Sequence, residues 1–134
     1  MSKILPLLLM VIPTVCNAET FYGKIENISA YDKGGMACVT NQAYNDDFKQ
    51  IADSVSQDKT DNGAALKLLQ FFQDEKHGSC YHVQNDGNFS IKLPDQGAQY
   101  ILIVTLSTTH HVFWEYLIYH GESPETKVFN APSF

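Results

Sequence analysis

The sequence predicts a mainly β domain, a sandwich of about seven short strands that carries an α-helical hairpin as an insertion. Three observations predict it. Between Cys80 and Ser107, two turns separate three strand-like runs. From Tyr44 to Gly78 the apolar repeat changes from two residues to the helical repeat of about 3.6. After Ser107, the run from His111 to His120 is apolar on both faces, which suits a strand covered on both sides.

Met1 to Ala18 reads as a secretory signal peptide. Lys3 supplies the positive start, Ile4 to Val15 the apolar segment and Cys16-Asn17-Ala18 a small-residue cleavage site. The apolar run is about a dozen residues against the roughly 20 of a membrane span, and Pro6 and Pro13 interrupt it, so no stable membrane insertion is expected. A lipid anchor on Cys16 is the competing reading, disfavoured by the Pro13-Thr14-Val15 approach. Residues 19–134 are left as a single domain, whose expected setting is the periplasm or the medium.

Glu19 to Tyr31 is the expected first strand. Its apolar residues Phe21, Tyr22, Ile25 and Ile28 slip by one between the last two, which suggests a bulge. Asp32-Lys33-Gly34-Gly35 is a turn and Met36 to Asn41 the second strand. The insertion at about 44–78 follows. Phe48, Ile51, Ala52 and Val55 fall at i, i+3, i+4 and i+7, so a helix starts near Asn45 or Asp46. Asp58 to Asn62 breaks it. Thr60 or Asp61 caps a second helix with Ala65, Leu68, Leu69 and Phe72 on its apolar stripe, Lys76 and His77 in its last turn and Gly78 as C-cap.

Asn85-Asp86-Gly87-Asn88 then reads as a tight hairpin turn joining Tyr81-His82-Val83 to a second run in which Phe89, Ile91 and Leu93 alternate with Ser90 and Lys92. Pro94 ends that strand because it cannot donate to a sheet ladder. Tyr100 to Ser107 returns as a strand dense in β-branched residues. Thr108-Thr109-His110 is a turn and His111 to His120 a long strand. Gly121 to Thr126 is a loop, Lys127 to Asn130 a short edge strand and Ala131 to Phe134 a loose tail.

The stretch DGNFSIKLPDQGAQYILIV, Asp86 to Val104, resembles the core of carboxypeptidase regulatory-like domains, which are similar to transthyretin. Gly23-Lys24-Ile25 and Ala37-Cys38-Val39-Thr40 extend the likeness to the positions of that family's first two strands. The resemblance implies a seven-stranded Greek-key β-sandwich. It also implies an accessory module, and it brings no catalytic residue. The helical insertion departs from the family's pattern, and insertions on a sandwich usually carry its specificity.

Charge and cysteines narrow the function. The formal net charge is −6, one unit more negative once Lys3 is removed, and arginine is absent. A nucleic acid or an anionic lipid needs a basic surface, so neither is expected; an acidic surface complements a basic protein. Loss of Cys16 leaves Cys38 and Cys80 in an oxidising compartment, which favours one disulfide joining the second strand to the third. The competing use of that pair is a zinc or copper site with His77 and His82, whose spacing is not a standard ligand pattern.

His110 and His111 are adjacent, so on a strand they point to opposite faces and share an ion only in a turn. No Gly-x-Ser-x-Gly elbow is present. Transthyretin-like hydrolases of ureides end in Tyr-Arg-Gly-Ser, whereas this chain ends Asn-Ala-Pro-Ser-Phe. Asn27-Ile28-Ser29 and Asn88-Phe89-Ser90 fit the N-glycosylation pattern, which matters only in a eukaryotic secretory pathway. The expectation is an exported, non-enzymatic binding module without cofactor or metal that recognises another exported protein, a basic one by charge. An inhibitor or immunity protein fits. Its contact surface is expected on the insertion and on Phe113, Glu115, Leu117 and Tyr119, with Trp114 packed in the core. The alternatives are a periplasmic metal-binding protein using histidines and a small hydrolase.

Overall fold

The structure is a computed structural model that describes residues 19–121 and 125–134. The expected signal peptide and part of the loop after Gly121 lie outside them. The described residues form seven strands, β1 (Thr20–Glu26), β2 (Gly35–Thr40), β3 (Gly78–His82), β4 (Asn88–Lys92), β5 (Gln99–Leu106), β6 (Val112–Tyr119) and β7 (Lys127–Asn130). Between β2 and β3 lie two helices, α1 (Asn45–Ser54) and α2 (Asn62–Phe71).

The strands make two sheets, a three-stranded one ordered β4-β1-β7 and a four-stranded one ordered β3-β2-β5-β6. All pairings are antiparallel except β1 with β7, which run parallel. Between the sheets, Phe21, Ile25, Ile91 and Phe129 meet Ala37, Val39, Ile101, Ile103 and Phe113. The helices cover the other face of the four-stranded sheet, where Phe48, Ala52, Ala65, Leu68 and Phe71 pack on Leu102, Val104, Val112 and Trp114. The result is three layers: sheet, sheet, helices.

The central strand β5 explains its own composition. Seven of its eight residues are buried, because one face meets the opposite sheet and the other meets the helices. A strand covered on both faces has no place for a solvated polar side chain, so it reads as a continuous apolar run.

Several expectations are corrected. The slip between Ile25 and Ile28 is not a bulge. The strand ends at Glu26, Asn27 takes a left-handed conformation at φ 64°, and Ile28–Ala30 forms a 3-10 turn that buries Ile28 by another route. The Asn85–Asn88 segment is a turn, with the Gly87 N–H donating to Gln84 O at 2.8 Å and Gly87 at φ 89°. It does not close a hairpin, since β3 pairs with β2 and β4 with β1 in the other sheet.

Gly78 is a strand residue and not a cap, because α2 stops at Phe71 and a turn-rich stretch leads into β3. A side chain there would run into Val39 O, with Phe72 Cε1 at 2.9 Å. The tail is docked. Asn27 Nδ2 donates to Ala131 O at 2.8 Å, the Tyr31 hydroxyl donates to Pro132 O at 2.6 Å, and Phe134 stacks on His111 with ring centroids 3.6 Å apart.

Candidate functional site

The helical layer is the part of the molecule that the sandwich does not need for closure, and its attachment is built residue by residue. Asp61 caps α2, its carboxylate accepting the Ala64 N–H at 3.1 Å. This satisfies one of the donors that a helix start leaves unpaired. Phe48 is fully buried at the centre of an aromatic cluster, with ring centroids of Phe71, Phe72, Tyr100 and Tyr116 all between 5.1 and 5.8 Å.

Hydrogen bonds fix the start of α1 on the sheet. Thr40 Oγ1 donates to Asn45 Oδ1 at 2.6 Å and accepts the Tyr100 N–H at 2.9 Å, and Asn45 Nδ2 donates to Ala98 O at 2.8 Å. Gln99, fully buried, donates through Nε2 to Thr40 O at 2.8 Å. Sequence reasoning missed this network. Its only signal was a row of polar residues, Thr40, Asn45 and Gln99, at the ends of apolar elements.

The Cys38–Cys80 disulfide forms, and the two residues stand directly opposite each other in the β2–β3 ladder with Cα atoms 4.0 Å apart. It joins neighbouring strands of one sheet on the face under the helices, and so clamps the insertion at its base. With the sulfurs oxidised, Cys38 and Cys80 offer no thiolate to a metal, and the Cys38, His77, Cys80, His82 set is not assembled. His77 instead stacks on Phe71 at 4.3 Å, and its Nδ1 lies 2.7 Å from Phe71 O at the end of α2. His111 Nδ1 meets the Thr109 hydroxyl at 2.9 Å, and His110 sits at φ 67° in the turn. Among the described residues no group of three or more His, Cys, Asp or Glu is placed to share an ion.

The four residues proposed from sequence to meet a partner fall on the sandwich side of β6. Phe113 and Tyr119 are buried, and half-buried Leu117 packs against the inter-sheet core. Tyr119 meets Phe21 edge-on at 5.0 Å. Glu115, in the middle of this edge strand, pairs with Lys59 Nζ at 3.5 Å, while Lys59 O accepts the Trp114 N–H at 2.8 Å. The opposite face, with Val112, Trp114 and Tyr116, lies under the helices. Both faces of β6 pack internally over Val112 to Trp114, as its two-sided apolar pattern requires, while Ile118 near its end is exposed.

The outer side of the insertion is open. Asp46, Asp47 and Gln50 are exposed on α1, and Leu66, Lys67 and Gln70 on α2, with Leu66 at 49% exposure. The acidic residues also suit the helix start, since both aspartates stand in the first turn of α1, where the helix dipole favours negative charge. Lys49 bonds Asp53 one turn on, at 2.8 Å, which holds its ammonium above the ordinary lysine range. On the buried side, desolvation pushes the Tyr100 phenol up, partly offset by the nearby Lys49 charge.

Compared with known proteins, the chain matches no family model, no curated protein and no solved structure.

Proposed function

We propose that this chain is an exported, non-enzymatic binding module that recognises another exported protein through the outer face of its helical layer. The observation that carries the reading is the division of labour in that layer. Its inner side is consumed by packing on the four-stranded sheet, whereas its outer side presents an exposed leucine beside a polar, largely acidic helix. Isolated exposed leucines are ordinary, but this one stands on an insertion that three anchors hold rigid: the disulfide, the Thr40–Asn45 network and the Lys59 contact.

The disulfide supports an oxidising compartment, the periplasm or the medium. The acidic balance favours a basic partner, for which inhibitor or immunity proteins are one functional class. For the fold, the strand orders β4-β1-β7 and β3-β2-β5-β6 support the transthyretin-like Greek-key reading of the Asp86 to Val104 resemblance.

The test compares tagged chains expressed in the native host. The parent chain is expected to co-purify one enriched exported protein. Leu66→Asp combined with Asp47→Lys is expected to lose it, while Tyr22→Ser on the exposed face of the other sheet keeps it. Equal recovery by all three chains overturns the assignment of the surface.

A further inference from the structure

A cleft of about 490 Å³ opens at one end of the sandwich, between the β1–β2 connection from Ile28 to Gly35 and the β3–β4 connection from His82 to Asn85. Its size falls within the roughly 300–1,000 Å³ of small-ligand sites. The floor is apolar and belongs to the inter-sheet core: Ile28 and Tyr31 are buried and Val83 half-buried.

Three of the backbone N–H groups around it are already paired. The Lys33 N–H donates to Leu106 O at 3.0 Å, the Gly34 N–H to Tyr31 O at 2.8 Å and the Val83 N–H to Gly35 O at 3.0 Å. Side chains are therefore the main groups left to recognise a ligand there. Gly34 adopts φ 74°, and an added Cβ would meet nothing within 4 Å, so the turn leaves open space beside Lys33.

The rim side chains differ in what they have free. Asp32 is committed: its carboxylate accepts the Thr108 hydroxyl at 2.6 Å and the Thr108 N–H at 2.7 Å. Lys33 attracts Asp32 only at a distance and forms no ion pair among the described residues. His82, Gln84 and Asn85 line the same cleft as exposed residues, and their side chains make no hydrogen bond among the described residues. One lysine and two amide residues thus stand on the rim of a cleft with an apolar floor, on a protein of net negative charge.

We propose that this cleft binds a small organic carboxylate, its charge taken by Lys33 with the Gln84 and Asn85 amides and its apolar body resting on Ile28 and Val83. One negative charge is the right amount. A second would meet the repulsion of the ionised Asp32 at the same rim, which selects a monoanion over a phosphate dianion. The site is separate from the helical layer, so it neither requires nor excludes protein recognition there.

The test titrates the oxidised chain, expressed with its own leader and purified, while recording its amide NMR spectrum with benzoate, benzyl alcohol or inorganic phosphate. Benzoate is expected to give saturable shifts confined to residues 28–35 and 82–85. Benzyl alcohol and phosphate are expected to bind at least about tenfold more weakly. Lys33→Gln with Asn85→Ala is expected to weaken benzoate by a similar factor and to leave the rest of the spectrum unchanged. Shifts that fail to saturate, shifts spread over the other lysines, tighter binding of phosphate, or full affinity in the double variant would each overturn the assignment.

Discussion

Gly78 begins β3 where the strand passes Val39, and the space for a side chain is filled by the Val39 carbonyl and the Phe72 ring. Backbone cannot yield there without spreading the β2–β3 ladder that the disulfide also holds. Gly78→Ala is therefore expected to cost about 3 kcal/mol in urea unfolding, the upper range of overpacking. Gly23 is crowded by the Phe89 ring instead, and a ring can move, so Gly23→Ala should cost less. Acid stability belongs to this scale too. The Thr108 hydroxyl and N–H hold Asp32 below the usual carboxylate range, and the backbone N–H groups of Thr60 and Asn88 do the same for Asp58 and Asp86. Because these groups are depressed only in the folded state, their contribution is complete above about pH 4 and drains as the pH falls through the folded values. Asp32→Asn should make the acid limb of a urea-midpoint profile shallower, and an unchanged limb would contradict the hydrogen bonds described for it. None of this was visible in sequence, where Gly78 has the look of a helix cap and Asp32 of an ordinary turn residue.

At the scale of elements, the helical layer depends on Phe48. Removing that ring empties the centre of a cluster shared by α1, α2, β5 and β6, so Phe48→Ala should cost about 4 kcal/mol, within the range of large-to-small aromatic substitutions. Hydrogen exchange would place the added opening in α1 and α2. Opening confined to the β4-β1-β7 sheet would contradict the layering. The disulfide closes a segment separated by 42 positions, for which the loop-entropy relation gives roughly 4 kcal/mol. Replacing both cysteines by alanine should lower stability by about that amount and make it insensitive to reductant. Both helices were legible because burial on one side imposes a 3.6-residue repeat, and α1 starts at Asn45, one of the two positions expected ahead of the repeat that begins at Phe48. The Asp86-Gly87 turn was legible only locally. Turn chemistry reverses the chain but does not choose the sheet that the next strand joins; Phe89 and Ile91 pair with β1 because their inward face completes the core with Phe21 and Ile25.

The whole molecule is a sandwich with a third layer on one face, and that asymmetry separates its surfaces. A strand apolar on both sides announced that β6 needed two covers, without saying which face each would take. The structure turns Trp114 and Tyr116 to the helices and Phe113 and Tyr119 to the opposite sheet, so of the two parts expected to form a contact surface, the insertion and the strand, the strand puts these four side chains into packing. The docked tail was equally hidden, since it depends on single contacts such as Tyr31 with Pro132 that leave no periodic trace. The most direct measurement is hydrogen exchange of the chain alone and in complex with a protein recovered by the co-purification proposed above. The account predicts new protection concentrated in residues 45–54 and 62–71 and little change in β4, β1 and β7. Protection centred on the exposed face of the three-stranded sheet, around Tyr22 and Val128, with the helices unchanged, would contradict it.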